Sequence, residues 1–148
     1  VFSKLIRYQT ELWNAVDARL RTDFDLPLSR FEPMQVIART PGCRVYDIAN
    51  ELSITVGGTS KLVDRIEESG LCRRRNNPND RRSSLIELTP LGESVLERAT
   101  VSFEDELRIR WASIPARTLD QFGATLARLR ASMNAAGASE SESAPASA

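Results

Sequence analysis

The chain contains no histidine among its 148 residues. Histidine is the commonest general base near neutral pH and the commonest metal ligand, so its absence removes the usual starting points for hydrolytic and metal chemistry. Cysteine is scarce as well, limited to Cys43 and Cys72. Two thiols without imidazole partners do not make an ordinary tetrahedral zinc site. No cluster in the sequence sets a nucleophile beside a base. The composition points away from an enzyme and implies no cofactor. No apolar run approaches the roughly 20 residues that a membrane helix requires, and no signal-peptide pattern opens the chain. The reading is a cytoplasmic protein with no membrane partner.

Lysine is nearly absent too. All but two of the 20 basic residues are arginine, and 20 acidic residues bring the net charge to zero. A neutral chain argues against nucleic-acid binding when the total alone is considered. The distribution argues the other way, because the stretch "RRRNNPNDRR" from Arg73 to Arg82 sets five arginines against a single aspartate.

Apolar residues follow a helical period from Phe2 through Leu5, Ile6, Trp13, Val16 and Leu20 to Phe24, which predicts one long helix. Pro27 breaks it. Ser29 and Glu32 have capping-box spacing for a second helix reaching about Ala38, and "TPG" at Thr40–Gly42 ends that one. A short helix over Tyr46–Leu52 and a turn at "SIT" lead to Thr55, a credible N-cap for the next helix. That helix carries Leu62, Val63 and Ile66 inward and stops at Gly70. "LCRRR" (71–75) and "SLIEL" (84–88) alternate like strands around a loop rich in turn-formers. Helix, turn, helix, strand, polar loop and strand make a winged helix-turn-helix.

Helix resumes at "TPLG", with Thr89 as N-cap and Pro90 in the first helical position. Pro115 divides it from a last helix marked by Leu119, Phe122, Leu126, Leu129 and Met133. The expected fold is mainly α with a small β-wing, the winged helix-turn-helix being flanked by N- and C-terminal dimerisation helices. The divisions are 1–27 for the first dimerisation helix, 28–89 for the DNA-binding domain, 90–134 for the C-terminal dimerisation helices and 135–148 for a disordered tail. Dimerisation is inferred because the terminal helices carry more apolar surface than one small core can cover. The alternative is a monomer whose terminal helices pack on their own domain.

In such a fold the helix after Thr55 enters the major groove. Thr55, Thr59 and Ser60 offer hydroxyls, and Lys61 and Arg65 offer charge. Gly57 and Gly58 let the backbone approach a phosphate or base edge closely. The order "GGTSK" lacks both the spacing and the preceding strand of a phosphate-binding loop. Arg81 and Arg82 sit at the wing tip, where they can reach a minor groove. Cys43, beside Arg44 in a loop, is a redox candidate if exposed with a lowered pKa, whereas Cys72 alternates within a strand and reads as buried.

"NDRRSSLIELTPLG" fits D-x-R, five residues, L-T-x-x-G, and resembles the multiple-antibiotic-resistance regulator (MarR) family. "DIANELSITVGGTSKLVDRIEESGLCRRR" is similar to that family's helix-turn-helix running into its first wing strand. The resemblance extends over roughly residues 5 to 134. It implies a homodimeric transcription regulator, a repressor, on a pseudopalindromic double-stranded DNA operator. It makes Arg82 the wing-tip arginine, Asp80 the wing aspartate and Asp64 an acid that orients the wing arginine. It further implies release by a small anionic or phenolic effector, with Trp13, Phe31 and Trp111 as candidate wall residues. Two other readings stay open: a winged-helix protein-interaction module with little DNA affinity, and a cysteine-based redox-sensing regulator.

Overall fold

A computed structural model describes residues 1–142. They fall into two compact units, one over Val1–Arg110 and one from Trp111 onward. The first unit holds α1 (Phe2–Phe24), α2 (Leu28–Arg39), α3 (Val45–Leu52), α4 (Val56–Glu68), β1 (Cys72–Asn76), β2 (Ser84–Leu88) and α5 (Pro90–Arg110). The second holds α6 (Ala116–Glu142). The fold is the expected mainly α winged helix-turn-helix with flanking helices.

Local chemistry explains most element ends. Helix α1 stops at Asp25, whose left-handed φ of 51° turns its N–H back to the Arg21 carbonyl. Helix α2 starts one residue before the expected cap. Pro27 takes the N-cap position, and the first free N–H, of Leu28, donates to Asp17 Oδ1 on α1 at 2.8 Å. With that N–H satisfied from another helix, Ser29 lies inside the first turn and caps nothing. Pro33 sits within α2 and is buried. It has no N–H to give to the carbonyl four residues back.

The core is one cluster centred on Phe31, Leu20, Met34, Ile48, Val63 and Ile66, all fully enclosed. Phe31 lies against Phe103 with ring centroids 5.0 Å apart, which fastens α2 to α5. A polar seam runs between α1 and α5. Arg19 bridges Asp23 at 2.6 Å and Asp105 at 3.1 Å, and the Ser102 hydroxyl donates to Asp23 at 2.8 Å. The Arg19 guanidinium and the Ser102 hydroxyl hold the Asp23 carboxyl below its usual range.

The two strands pair antiparallel in the register Cys72 with Leu88, Arg74 with Ile86 and Asn76 with Ser84. A further backbone bond widens the sheet: Ile86 N–H donates to the Cys43 carbonyl at 2.7 Å. Where β2 ends, Thr89 closes the wing onto its own start. Its N–H donates to the Leu71 carbonyl at 3.0 Å, and its hydroxyl donates to the Gly70 carbonyl at 2.6 Å while accepting the Gly92 N–H at 3.0 Å. Gly70 has φ +75°, and a Cβ built on Gly92 would stand 1.9 Å from the Leu71 carbonyl oxygen.

In the second unit, α6 continues to Glu142. The expected tail at 135–148 is therefore helical as far as 142, and its remainder lies outside the described residues. Alanine is the best helix former, and Ala135, Ala136 and Ala138 extend the helix where large apolar groups have run out.

Gly92→Ala is expected to destabilise the protein by about 1–3 kcal/mol through overpacking against backbone. Urea unfolding measures this, and a variant as stable as the parent contradicts the close approach.

Candidate nucleic-acid interface

Helix α4 begins as its sequence requires. Thr55 is the N-cap, its hydroxyl oxygen accepting the Gly58 N–H at 3.1 Å. The two glycines that follow differ in reason. A Cβ on Gly58 would come within 3.0 Å of Thr55 Oγ1 and press on the cap, whereas a Cβ on Gly57 would meet nothing within 4 Å. Packing explains Gly58 and leaves Gly57 open to an external explanation.

Not every residue assigned to this surface reaches it. Thr59 is 0% exposed, and its hydroxyl donates to the Thr55 carbonyl at 2.8 Å. It lies on the buried stripe with Val63 and Ile66, at spacings of four and three, so it belongs to the core. Ser60 is half-buried, while Thr55, Gly57, Gly58, Lys61 and Arg65 are exposed.

The wing arginines divide by role. Arg73 and Arg75 both pair with Glu87 across the strands, at 2.5 and 3.2 Å. Arg74 turns to the other face and clamps α4. Its guanidinium meets Asp64 at 2.7 Å, Glu67 at 3.0 Å and the Ser60 carbonyl at 3.3 Å, and its own N–H donates to Glu67 at 2.8 Å. Asp64 thus orients Arg74, not the wing-tip arginine. The strand immediately after α4 brings Arg74 alongside that helix, whereas Arg82 lies beyond the loop. Sequence spacing gives no sign of this partner, because the pairing depends on how β1 folds back along α4.

The loop itself is built by side chains. Asn77 Oδ1 accepts the Asn79 N–H at 3.0 Å, Asn77 Nδ2 donates to the Ser83 hydroxyl at 3.1 Å, and Asp80 Oδ1 accepts the Arg82 N–H at 2.9 Å. Asp80 therefore shapes the tip through the backbone of Arg82. The Arg81 and Arg82 side chains are exposed and engage no partner among the described residues. The same holds for Lys61 and Arg65 on α4. Four unpaired cations remain where "RRRNNPNDRR" and α4 were expected to present charge.

The effector and redox candidates fare differently. Phe31 is buried in the core, Trp13 is half-buried against it, and Trp111 belongs to the second unit. Phe31 is accordingly a core residue and not an open wall. Cys43 is 0% exposed, and burial pushes its thiol up to about 11, with Asp47 adding to the rise and Arg44 opposing it. The exposed, acidic thiol expected there is absent because the Cys43 carbonyl joins the sheet edge through Ile86. Cys72 is buried as expected, its thiol also raised to about 11 by burial.

Comparison with known proteins places this geometry. Residues 26–84 match the MarR family. The multiple antibiotic resistance protein MarR of Salmonella typhimurium is 32% identical over 75 residues, covering 50% of this chain and 51% of that protein. An uncharacterized HTH-type transcriptional regulator of Bacillus cereus is 29% identical over 99 residues, covering 67% of this chain. The match spans 65% of that relative's length, just under two thirds. Among solved structures, a MarR family transcriptional regulator from Streptomyces coelicolor in complex with DNA has a TM-score of 0.83 at 24% identity, covering 89% of this chain and 88% of that one. The S. aureus MepR–DNA complex gives 0.78 at 24% identity, covering 89% and 98%. At these identities the structures establish the shared fold.

Both thiols are expected to resist alkylation in the folded protein at pH 8 and to react once it is unfolded. Because their folded pKa values lie above the unfolded ones, the folded state holds these protons longer, and stability falls as pH rises from about 9 towards 11. Mass-spectrometric counting of iodoacetamide adducts checks the first point; rapid labelling of folded Cys43 contradicts it.

Proposed function

Since the chain belongs to the MarR family, we propose that it is a sequence-specific DNA-binding transcription regulator. It acts as a homodimeric repressor in the cytoplasm, on a pseudopalindromic operator, and a small anionic or phenolic effector releases it. The observation that carries this reading is the set of four exposed, unpartnered cations: Lys61 and Arg65 on α4, Arg81 and Arg82 on the wing loop. On this neutral chain the other wing arginines are matched to acids. Charge left unmatched on a helix-turn-helix and its wing suits phosphate, the polyanion that such folds meet.

In this proposal α4 enters the major groove with Thr55, Gly57 and Gly58 leading. Lys61 and Arg65 hold phosphates, Ser60 contributes its partly accessible hydroxyl, and Arg81 and Arg82 enter the adjacent minor groove. Asp80 shapes the tip, and Asp64 acts one step removed by holding Arg74 against α4. The second copy is supported by apolar side chains left open on α1, Phe2 and Ile6, and on α6, Phe122, Leu129 and Met133. Among the described residues no helix is long and apolar enough to cross a membrane.

Zero net charge favours a second reading, a winged helix that binds a protein partner instead of DNA. Salt separates the two, because DNA binding releases counterions and weakens linearly on a logarithmic salt scale. Fluorescence anisotropy with duplex DNA is expected to show that steep loss. Arg82→Ala is expected to weaken binding across sequences and to reduce the salt slope by about two, one for each copy in the dimer. Salt-independent binding contradicts the DNA reading, and an Arg82→Ala variant with the parent's affinity and slope removes the wing from the mechanism.

A further inference from the structure

The leading turn of α4 has few groups able to read a base by hydrogen bonding. Gly57 and Gly58 have no side chains, and Thr59 is buried with its hydroxyl on the Thr55 carbonyl. Thr55 uses its oxygen in the cap and keeps one hydroxyl hydrogen, a donor that distinguishes bases poorly. One side chain remains on this turn: Val56, the first helical residue, 54% exposed and outside the core cluster.

Val56 is β-branched and held close to one rotamer, so little freedom is lost when it is covered. In the major groove a small apolar group has one base-specific counterpart, the 5-methyl of thymine. The unpartnered cations Lys61 and Arg65 lie further along the same helix. They supply the phosphate contacts that fix register without reading sequence.

Resting on the DNA-binding reading, we propose that Val56 is a specificity-determining residue that packs on the methyl group of one thymine in each half-site. Gly57, beside it, has room for a Cβ within the protein, and its bareness serves the close approach of the helix to the base edges. Readout on this turn is thus apolar: cytosine at that position lacks the methyl, and a purine places an acceptor there.

Replacing thymine by deoxyuridine removes that methyl and keeps the base pair, so it isolates the contact. The DNA is first recovered by selection from a random pool with the full chain, then each thymine of the half-site is replaced in turn. Anisotropy titrations at fixed salt are expected to find one thymine whose replacement weakens binding about fourfold, and roughly fifteenfold when both half-sites are changed, as expected for burial of one methyl each. Val56→Ala is expected to bind the thymine DNA with the weakened affinity and to be indifferent to the replacement. Alanine is the better helix former, so the variant melts no lower than the parent. An enriched sequence with no sensitive thymine, or a Val56→Ala protein that keeps full sensitivity, overturns the assignment of Val56 alone. A pool that returns no enriched sequence overturns the DNA-binding reading and this assignment with it.

Discussion

The wing domain depends on one close backbone approach, where the start of α5 presses against the peptide that follows α4. Gly92 fits beneath the Leu71 carbonyl with no room for a Cβ. Thr89 fixes the same spot from the other side, through its N–H to Leu71 and its hydroxyl to Gly70. Helix α4, both strands and α5 therefore meet over two consecutive residues, Gly70 and Leu71. The "L-T-x-x-G" portion of the wing pattern is the chemistry of this junction: threonine to bond across it and glycine to let it close.

From the junction the strands leave α4 at a set angle, and Arg74 keeps them there. One guanidinium with contacts to Asp64, Glu67 and the Ser60 carbonyl joins the helix to the strand in several directions at once. A planar fork that is always charged suits this task better than a lysine. The consequence is an economy of charge. Three of the arginines in "RRRNNPNDRR" serve the wing's own construction, and the functional reading rests on Arg81 and Arg82 at the tip together with Lys61 and Arg65.

What could be read from the sequence was set by local chemistry. The cap at Thr55, the left-handed Gly70, Pro90 at the head of α5 and the alternating strands depend on neighbours in the chain, and each lies where its local pattern placed it, the first strand shifted by one residue. What escaped depends on contacts between distant segments. Asp17 caps α2 from α1 and displaces Ser29 from that role. Ile86 draws the Cys43 loop into the sheet and hides a thiol that a "PGCR" loop suggested was open. Arg74 takes the acid expected to face Arg82. Thr59 is a different case, since its spacing to Val63 and Ile66 marked it as inward and only its hydroxyl suggested otherwise. Val56 is the converse, an apolar residue that no pattern in the sequence singled out and that the start of α4 leaves exposed.

The proposed function comes down to one claim: that the bare start of α4 and the tip of the wing act together on DNA, once from each copy of the chain. A hydroxyl-radical footprint on a selected operator tests it most directly, since the cleavage reports which minor-groove sugars are covered. The account predicts protected tracts at both outer flanks of the site, symmetric about its centre, where the two wings lie. Protection limited to the centre, or on one side only, or no protection at all, would contradict it.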